Sequence, residues 1–256
     1  MLKVILWDVD GTLAETERDG HLLAFNRAFE MLGVPWRWSE ARYGELLAVA
    51  GGRERLLHDM HSQPLAPDGA AQRAALIERI HRLKNEFYAA IVDSGALPLR
   101  AGVAELFEDC AAAQVRMGIV TTTSTANVAA LLGARLGAGW RSHFAAVVCA
   151  EQAPLKKPDP QVYLRALQSL GLAADDVLAI EDSPAGIAAA RAAGISVVLV
   201  RSFYFADADI DLSAVLSAGP SLGSARGWNP LPGAASEDRI ALSDLVRWHR
   251  ARPARR

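Results

Sequence analysis

Five short runs in this chain are almost wholly apolar. They are residues 3–7 (KVILW), 115–120 (VRMGIV), 145–149 (AAVVC), 177–180 (VLAI) and 195–200 (ISVVLV). A strand that alternates apolar and polar residues can leave one face in water, whereas a strand apolar throughout must be covered on both faces. Helical patterns at 102–113, 125–136, 160–170 and 184–193 lie between or beside these runs. Fully apolar strands alternating with helices imply a parallel sheet between two helical layers. The expected fold class is therefore α/β, with a Rossmann-like parallel sheet as its core.

The first run is cut off from the second by a long block with no strand signal. From Thr16 to about Asp93, apolar residues recur at helical spacing in GHLLAFNRAFEMLG, YGELLAVAGGRERLLHDM and AAQRAALIERIHRLKNEFYAAIV. Gly33-Val34-Pro35 and the 63–69 stretch, with Pro64 and Pro67, interrupt the pattern. The expected organisation is an α/β core built from residues 1–16 and 97–256, with an α-helical cap domain inserted over 17–96. Residues 216–236, rich in Gly, Ser, Pro and Ala, read as a loop or insertion. ALSDLVRWHR reads as a last helix capped by Ser243, and the terminal RARPARR as a solvated disordered tail.

Composition narrows the partners. A net charge of -2 makes no case for nucleic acid or a membrane surface. No apolar run is long enough for a signal-peptide core or a membrane span. Two cysteines, Cys110 and Cys149, imply no disulfide framework and suit a reducing compartment. The expectation is a cytoplasmic, monomeric enzyme or binding protein.

Ligands of open α/β sheets bind at the carboxyl ends of the strands. The first strand delivers Asp8 and Asp10 there, and the second delivers Thr121, Thr122, Thr123 and Ser124. The third leads into Lys156-Lys157-Pro158, and the fourth ends in Glu181-Asp182-Ser183. Residues i and i+2 of an extended chain share a side, so Asp8 and Asp10 can face one site. With Asp182 arriving from another strand, three carboxylates repel unless a hard divalent cation binds them. Oxygen ligands with waters left over suit Mg²⁺. Mg²⁺ with Lys157, hydroxyls and backbone donors makes a site for an anion, and phosphate fits best.

DVDGT at 8–12, TTTS at 121–124, KKPDP at 156–160 and EDSPAG at 181–186 resemble the four motifs of the haloacid dehalogenase (HAD) superfamily, in that family's order. A helical insertion after the first strand matches its class with a helical cap. A closer resemblance is to the CbbY-type sugar-bisphosphate phosphatases. It is carried by DVDGTLAETERDGH, Phe25-Asn26, GGRER at 51–55, PLR at 98–100, Asn127-Val128 and Phe203-Tyr204. The chain departs from that group in Arg53 for lysine, in Ala101 for a proline after the arginine, and in the 216–236 stretch.

The resemblance implies a Mg²⁺-dependent phosphoric monoester hydrolase acting on a small phosphorylated sugar, xylulose-1,5-bisphosphate for CbbY proteins. It implies Asp8 as nucleophile, forming a phosphoaspartyl intermediate. It implies Asp10 as general acid and then base, protonated when substrate binds and reaching the metal by its backbone carbonyl. Asp182 is expected to bind Mg²⁺ directly and Glu181 through a water. Thr121 and Thr122 are expected to hold phosphoryl oxygens together with Lys157, with Lys156 a solvated neighbour. Glu17 and His21 are expected to face the sugar, and Arg53, Lys84 and Arg100 a second phosphate. The rival readings are a β-phosphoglucomutase-like or phosphoglycolate phosphatase-like enzyme of the same fold, and a non-catalytic binding module that would have lost Asp8 or Asp10.

Overall fold

The protein is represented by a computed structural model, in which residues 1–230 and 238–252 are described. Six strands form one sheet: β1 (Val4–Trp7), β2 (Arg116–Val120), β3 (Ala146–Val148), β4 (Val177–Glu181), β5 (Ser196–Val200) and β6 (Ser217–Gly219). Their order is β3-β2-β1-β4-β5-β6, and every neighbouring pair is parallel. The α/β class expected from the apolar runs is what the chain adopts.

The central position of β1 sets the site. Trp7 pairs with Ile119 on one side and Ile180 on the other. One residue further on, Asp8 therefore emerges between Val120 and Glu181, with its N–H donating to Ile180 O at 3.1 Å.

Alternation along β1 explains why all four of its residues are buried. Ile5 and Trp7 pack with residues of α5 (Val103–Ala112), α6 (Thr125–Leu136) and α9 (Leu242–Ala251), among them Leu106, Phe107, Leu131, Leu245 and Trp248. Val4 and Leu6 pack on the other face with α7 (Gln161–Leu170) and α8 (Pro184–Ala192), through Val162, Tyr163, Ala166, Ile187 and Ala190. Truncating one such buried aliphatic side chain to alanine costs about 2–5 kcal/mol.

The helical block comprises a π-helical turn (Glu17–Leu22), α1 (Leu23–Met31), α2 (Glu40–Leu46), α3 (Gly52–Met60) and α4 (Ala70–Asp93). It has its own core of Phe25, Phe29, Trp38, Tyr43, Leu46, Leu56 and Ile80. Phe29 meets Trp38 edge to face at 5.0 Å. Ser39 caps α2 by accepting the Arg42 N–H at 3.1 Å. The long helix α4 serves both parts: Ile77 and Ile80 lie in the cap core, whereas Tyr88, Ile91 and Val92 lie in the core beneath the sheet.

Three sequence expectations are corrected. The stretch read as a loop from 216 contains β6, whose residues Ser217, Ala218 and Gly219 are small enough to carry no strand signal. Ala218 exchanges backbone hydrogen bonds with Asn229 at 3.0 and 2.9 Å, so the segment is built onto the sheet edge. The last helix begins at Leu242, with extended Ala241 in the cap position, and Ala241 N–H donates to Asp244 Oδ2 at 3.1 Å. Ser243 is thus inside the first turn. In the expected tail, Arg252 donates to Asp175 O at 2.8 Å and is not free, while 253–256 lie outside the described residues, as do 231–236 of the expected loop. Among the described residues no helix is long and apolar enough to cross a membrane.

Candidate active site

Lys157 reaches back from the loop before α7 to the end of β1. Its Nζ donates to Asp8 Oδ1 at 2.6 Å, to Glu181 Oε1 at 2.6 Å and to Val120 O at 3.1 Å. Three ammonium protons meet three acceptors. All three charged side chains are buried, and Asp182 is buried beside them. Tyr163 OH also donates to Glu181 Oε1. Glu181 Oε2 has no hydrogen-bond partner among the described residues.

Asp8, Glu181 and Asp182 each offer an oxygen within 4.8 Å of the others. Burial pushes the Asp8 carboxyl up to about 7, with Glu181 and Asp10 adding to the rise and Lys157 opposing it. Burial and then the charge of Asp8 likewise raise Asp182 well above the carboxylate range. Three buried carboxylates against one ammonium leave an excess of negative charge. The orphaned Glu181 oxygen and the crowded acids are the environment a hard divalent cation relieves. Gly11 permits it: its φ is +85°, and a Cβ there would overlap Asp182 Oδ2.

Asp10 lies on the cap side. Thr16 Oγ1 donates to its Oδ1 at 2.5 Å, and His21 Nε2 stands 3.1 Å from the same oxygen. Burial would raise this carboxyl, but the charge and hydrogen bond of His21 and the bond from Thr16 outweigh it, holding Asp10 down at about 2. The sequence reading has Asp10 protonated on substrate arrival; in the substrate-free structure His21 and Thr16 favour its ionised form.

A cavity of about 330 Å³ opens between cap and strand ends, lined by Asp10, Glu17, His21, Arg53, Lys84, Thr122 and Lys156 among others. A smaller one of about 100 Å³ reaches Asp8, Asp10, Glu15, Glu17, Lys157, Asp182 and Tyr204. Thr122 lines both. Thr121 is buried at the end of β2, with its Oγ1 accepting the Thr123 N–H at 3.2 Å.

The cap residues fare differently from one another. Glu17 accepts Tyr43 OH at 2.5 Å. His21 stacks on Tyr88 with ring centroids 4.3 Å apart, besides meeting Asp10. Lys84 is buried between the rings of Phe25 and Tyr88, and burial lowers it to about 8 against the pull of Asp10 and Glu17. Arg53 is half exposed on the rim, paired with Glu78 at 2.6 and 3.0 Å. Arg100 is in neither cavity. Its guanidinium donates to the carbonyls of Gly11, Arg201 (2.6 Å) and Pro220 (3.0 Å), and its Nε lies 3.3 Å from Glu15.

Sequence reasoning missed Arg55. It is buried, donates to Tyr43 OH at 2.7 Å and Leu46 O at 3.1 Å, and lines both cavities. The signal was an arginine two positions from Arg53, and only the helix phase tells which of the two turns inward. Lys156 is also more than a solvated neighbour, because it pairs with Glu54 of the cap.

Known proteins with this arrangement define the class. The chain belongs to the haloacid dehalogenase-like hydrolases, whose family profile matches residues 2–194. Within that family it is similar to the CbbY proteins. It is 42% identical to plasmid-borne CbbY of Cupriavidus necator over 250 residues, 97% of each chain. It is 44% identical to CbbY of Rhodobacter capsulatus over 203 residues, 79% of this chain and 87% of that one. A crystal structure of a mutant CbbY from Rhodobacter sphaeroides, in complex with xylulose-1,5-bisphosphate, superposes with a TM-score of 0.73 at 38% identity, covering 82% of this chain and 92% of that one. The chain is an enzyme, a phosphoric monoester hydrolase of the type that uses an aspartate nucleophile.

Proposed function

We propose that this enzyme is a Mg²⁺-dependent phosphatase that hydrolyses xylulose-1,5-bisphosphate through a phosphoaspartyl intermediate on Asp8. The observation that carries the reading is the buried Lys157 bridging Asp8 and Glu181 beneath a cavity walled by cationic cap residues. The bisphosphate bound by the Rhodobacter sphaeroides relative supports the choice of substrate. The core of residues 1–16 and 97–256 carries the chemistry, and the cap over 17–96 selects the sugar. The proposed setting is the cytoplasm, with the enzyme working as a monomer.

Asp8, Asp182 and the backbone carbonyl of Asp10 would hold Mg²⁺, with Glu181 alongside. Bound there, the cation supplies neutralising charge for an anionic phosphoryl group. Lys157, the Thr121 hydroxyl and the Thr122 amide hold phosphoryl oxygens. An Asp8 oxygen attacks phosphorus, and the bond to the sugar oxygen breaks. The leaving oxygen takes a proton from the Asp10–His21 pair, whose atoms stand 3.1 Å apart. The pair, now short of that proton, then takes one from water through the Asp10 carboxylate. That water attacks phosphorus, releasing phosphate and restoring the Asp8 carboxylate. Glu17 and His21 contact the sugar, and Arg53 and Lys84 the second phosphate.

The test is phosphate release from xylulose-1,5-bisphosphate with Mg²⁺, set beside 2-phosphoglycolate and β-glucose-1-phosphate. The bisphosphate should be the best substrate. Isomerisation of β-glucose-1-phosphate faster than hydrolysis of any bisphosphate would replace this reading with a mutase.

A further inference from the structure

Glu181 ends β4 wholly buried, and its two oxygens are used unequally. Oε1 accepts twice, from Lys157 Nζ at 2.6 Å and from Tyr163 OH. Oε2 accepts from no described residue. Tyr163 sits in the first turn of α7, as buried as Glu181, with its ring centroid 5.5 Å from Lys157 Nζ. One phenol thus touches both partners of Asp8's hydrogen-bonding chain.

This lopsided pairing needs a cause. A buried carboxylate beside a single ammonium gains by turning toward it and sharing both oxygens, because unpaired acceptors in a dry site are costly. The phenol blocks that rotation by fastening Oε1 from the far side. Lys157 then divides its protons between Glu181 and Asp8, at 2.6 Å each. A phenylalanine would fill the same space without the hydroxyl, so packing alone does not account for a tyrosine here.

We propose that Tyr163 is a positioning residue for the phosphate site: by holding Glu181 Oε1 it keeps Lys157 on Asp8 and fixes a carboxylate that stands within 4.8 Å of Asp8 and Asp182. The inference rests on the Mg²⁺-phosphatase reading. Without the hydroxyl, Glu181 turns, takes Lys157 with both oxygens and draws the ammonium off Asp8.

The experiment compares wild type with Tyr163→Phe. Mg²⁺ binding is measured alone, by calorimetry on substrate-free protein, and kcat and KM are measured separately. Removing a partner that orients a metal-site carboxylate costs about 10–100-fold. Tyr163→Phe should therefore weaken Mg²⁺ binding about tenfold or more and lower kcat by a similar factor, with KM within about twofold. A lower thermal midpoint with unchanged Mg²⁺ affinity and kcat would mean the hydroxyl only stabilises the fold, and the proposal fails. A second arm adds Tyr163→Phe to Glu181→Gln. Because Tyr163 acts through Glu181, the double variant should bind Mg²⁺ no more weakly than Glu181→Gln alone. Multiplying losses would overturn the assignment. Wild-type protein that binds Mg²⁺ yet releases no phosphate from any sugar phosphate would overturn the phosphatase reading itself, and this proposal with it.

Discussion

Gly11 and Asp182 lie 171 positions apart in the chain, yet they press together so closely that a Cβ on Gly11 would overlap Asp182 Oδ2. Gly11 also holds a φ of +85°, which side-chain-bearing residues rarely adopt. Gly11→Ala should push Asp182 out of the acidic cluster. We expect kcat/KM to fall roughly a hundredfold, since displaced metal ligands cost at least as much as lost orienting partners. Near-normal turnover by Gly11→Ala would show that Asp182 does not hold the cation.

The raised Asp8 carboxyl makes cation binding depend on pH. Asp8 titrates at about 7 in the folded chain against an ordinary 3.8, chiefly because it is buried. In the cation-free protein, the stability this group contributes is fully present below pH 3.8 and is lost as pH rises through about 7. Mg²⁺ competes with that proton, so its affinity should fall up to tenfold per unit as pH drops below about 7. At fixed Mg²⁺, the gain in thermal midpoint should be larger at pH 8 than at pH 6. Equal gains at both would argue against Asp8 as a ligand.

Two arginines should separate stability from specificity. Arg100→Ala strands the carbonyls of Gly11 and Arg201, whereas that of exposed Pro220 can turn to water. At about 1–3 kcal/mol per buried group left unpaired, the thermal midpoint should fall by roughly 5–10 °C. Arg53→Ala breaks an exposed pair with Glu78, worth about 0–1 kcal/mol, and should barely move it. The same change should cut catalytic efficiency on the bisphosphate about tenfold or more while sparing p-nitrophenyl phosphate. Matching losses on both substrates would remove Arg53 from the second-phosphate site.

His249 should contribute to acid unfolding. Burial, and then the nearby Arg252 guanidinium, lower it from 6.5 to about 4. The unfolded chain takes up this proton near 6.5 while the folded protein resists it down to about 4, so stability is full above 6.5 and lost as pH falls from there. His81, also lowered to about 4 and chiefly by burial, acts in the same direction. Urea unfolding of His249→Gln should therefore lose less stability between pH 7.5 and 5 than wild type, with part of the slope remaining. An unchanged slope would contradict the assignment.

The fold was legible where one chemical reason was enough. VILW and SVVLV have no polar face, so they had to lie in a sheet covered on both sides. β6 was not legible, because Ser217, Ala218 and Gly219 become a strand only by pairing with Val198, Leu199 and Val200. Asp8, Glu181 and Asp182 were legible because each follows or ends an apolar run, and Lys157 because it directly precedes Pro158, as in the HAD pattern. Tyr163 and Arg55 were not, since an aromatic near a helix start and an arginine in a charged helix look ordinary until a fold surrounds them.

Sequence by itself therefore determined the parallel α/β core, the helical insertion and that Asp8 and Asp182 meet at the strand ends; it set Asp10 as the third acid with them, where the structure groups Glu181 and turns Asp10 to Thr16 and His21. Those follow from local pattern and from the rule that parallel strands deliver their residues to one edge. Tertiary structure alone decided how the charges are employed. It turned Arg100 to backbone carbonyls and Arg55 to Glu17 and Tyr43, left Arg53 on the rim, and set His21 and Thr16 against Asp10. Charged side chains are long and flexible, and the same residue can solvate a surface, bind a loop or face a substrate. Which of these it does depends on the burial and partners it meets, and residues distant in sequence supply them.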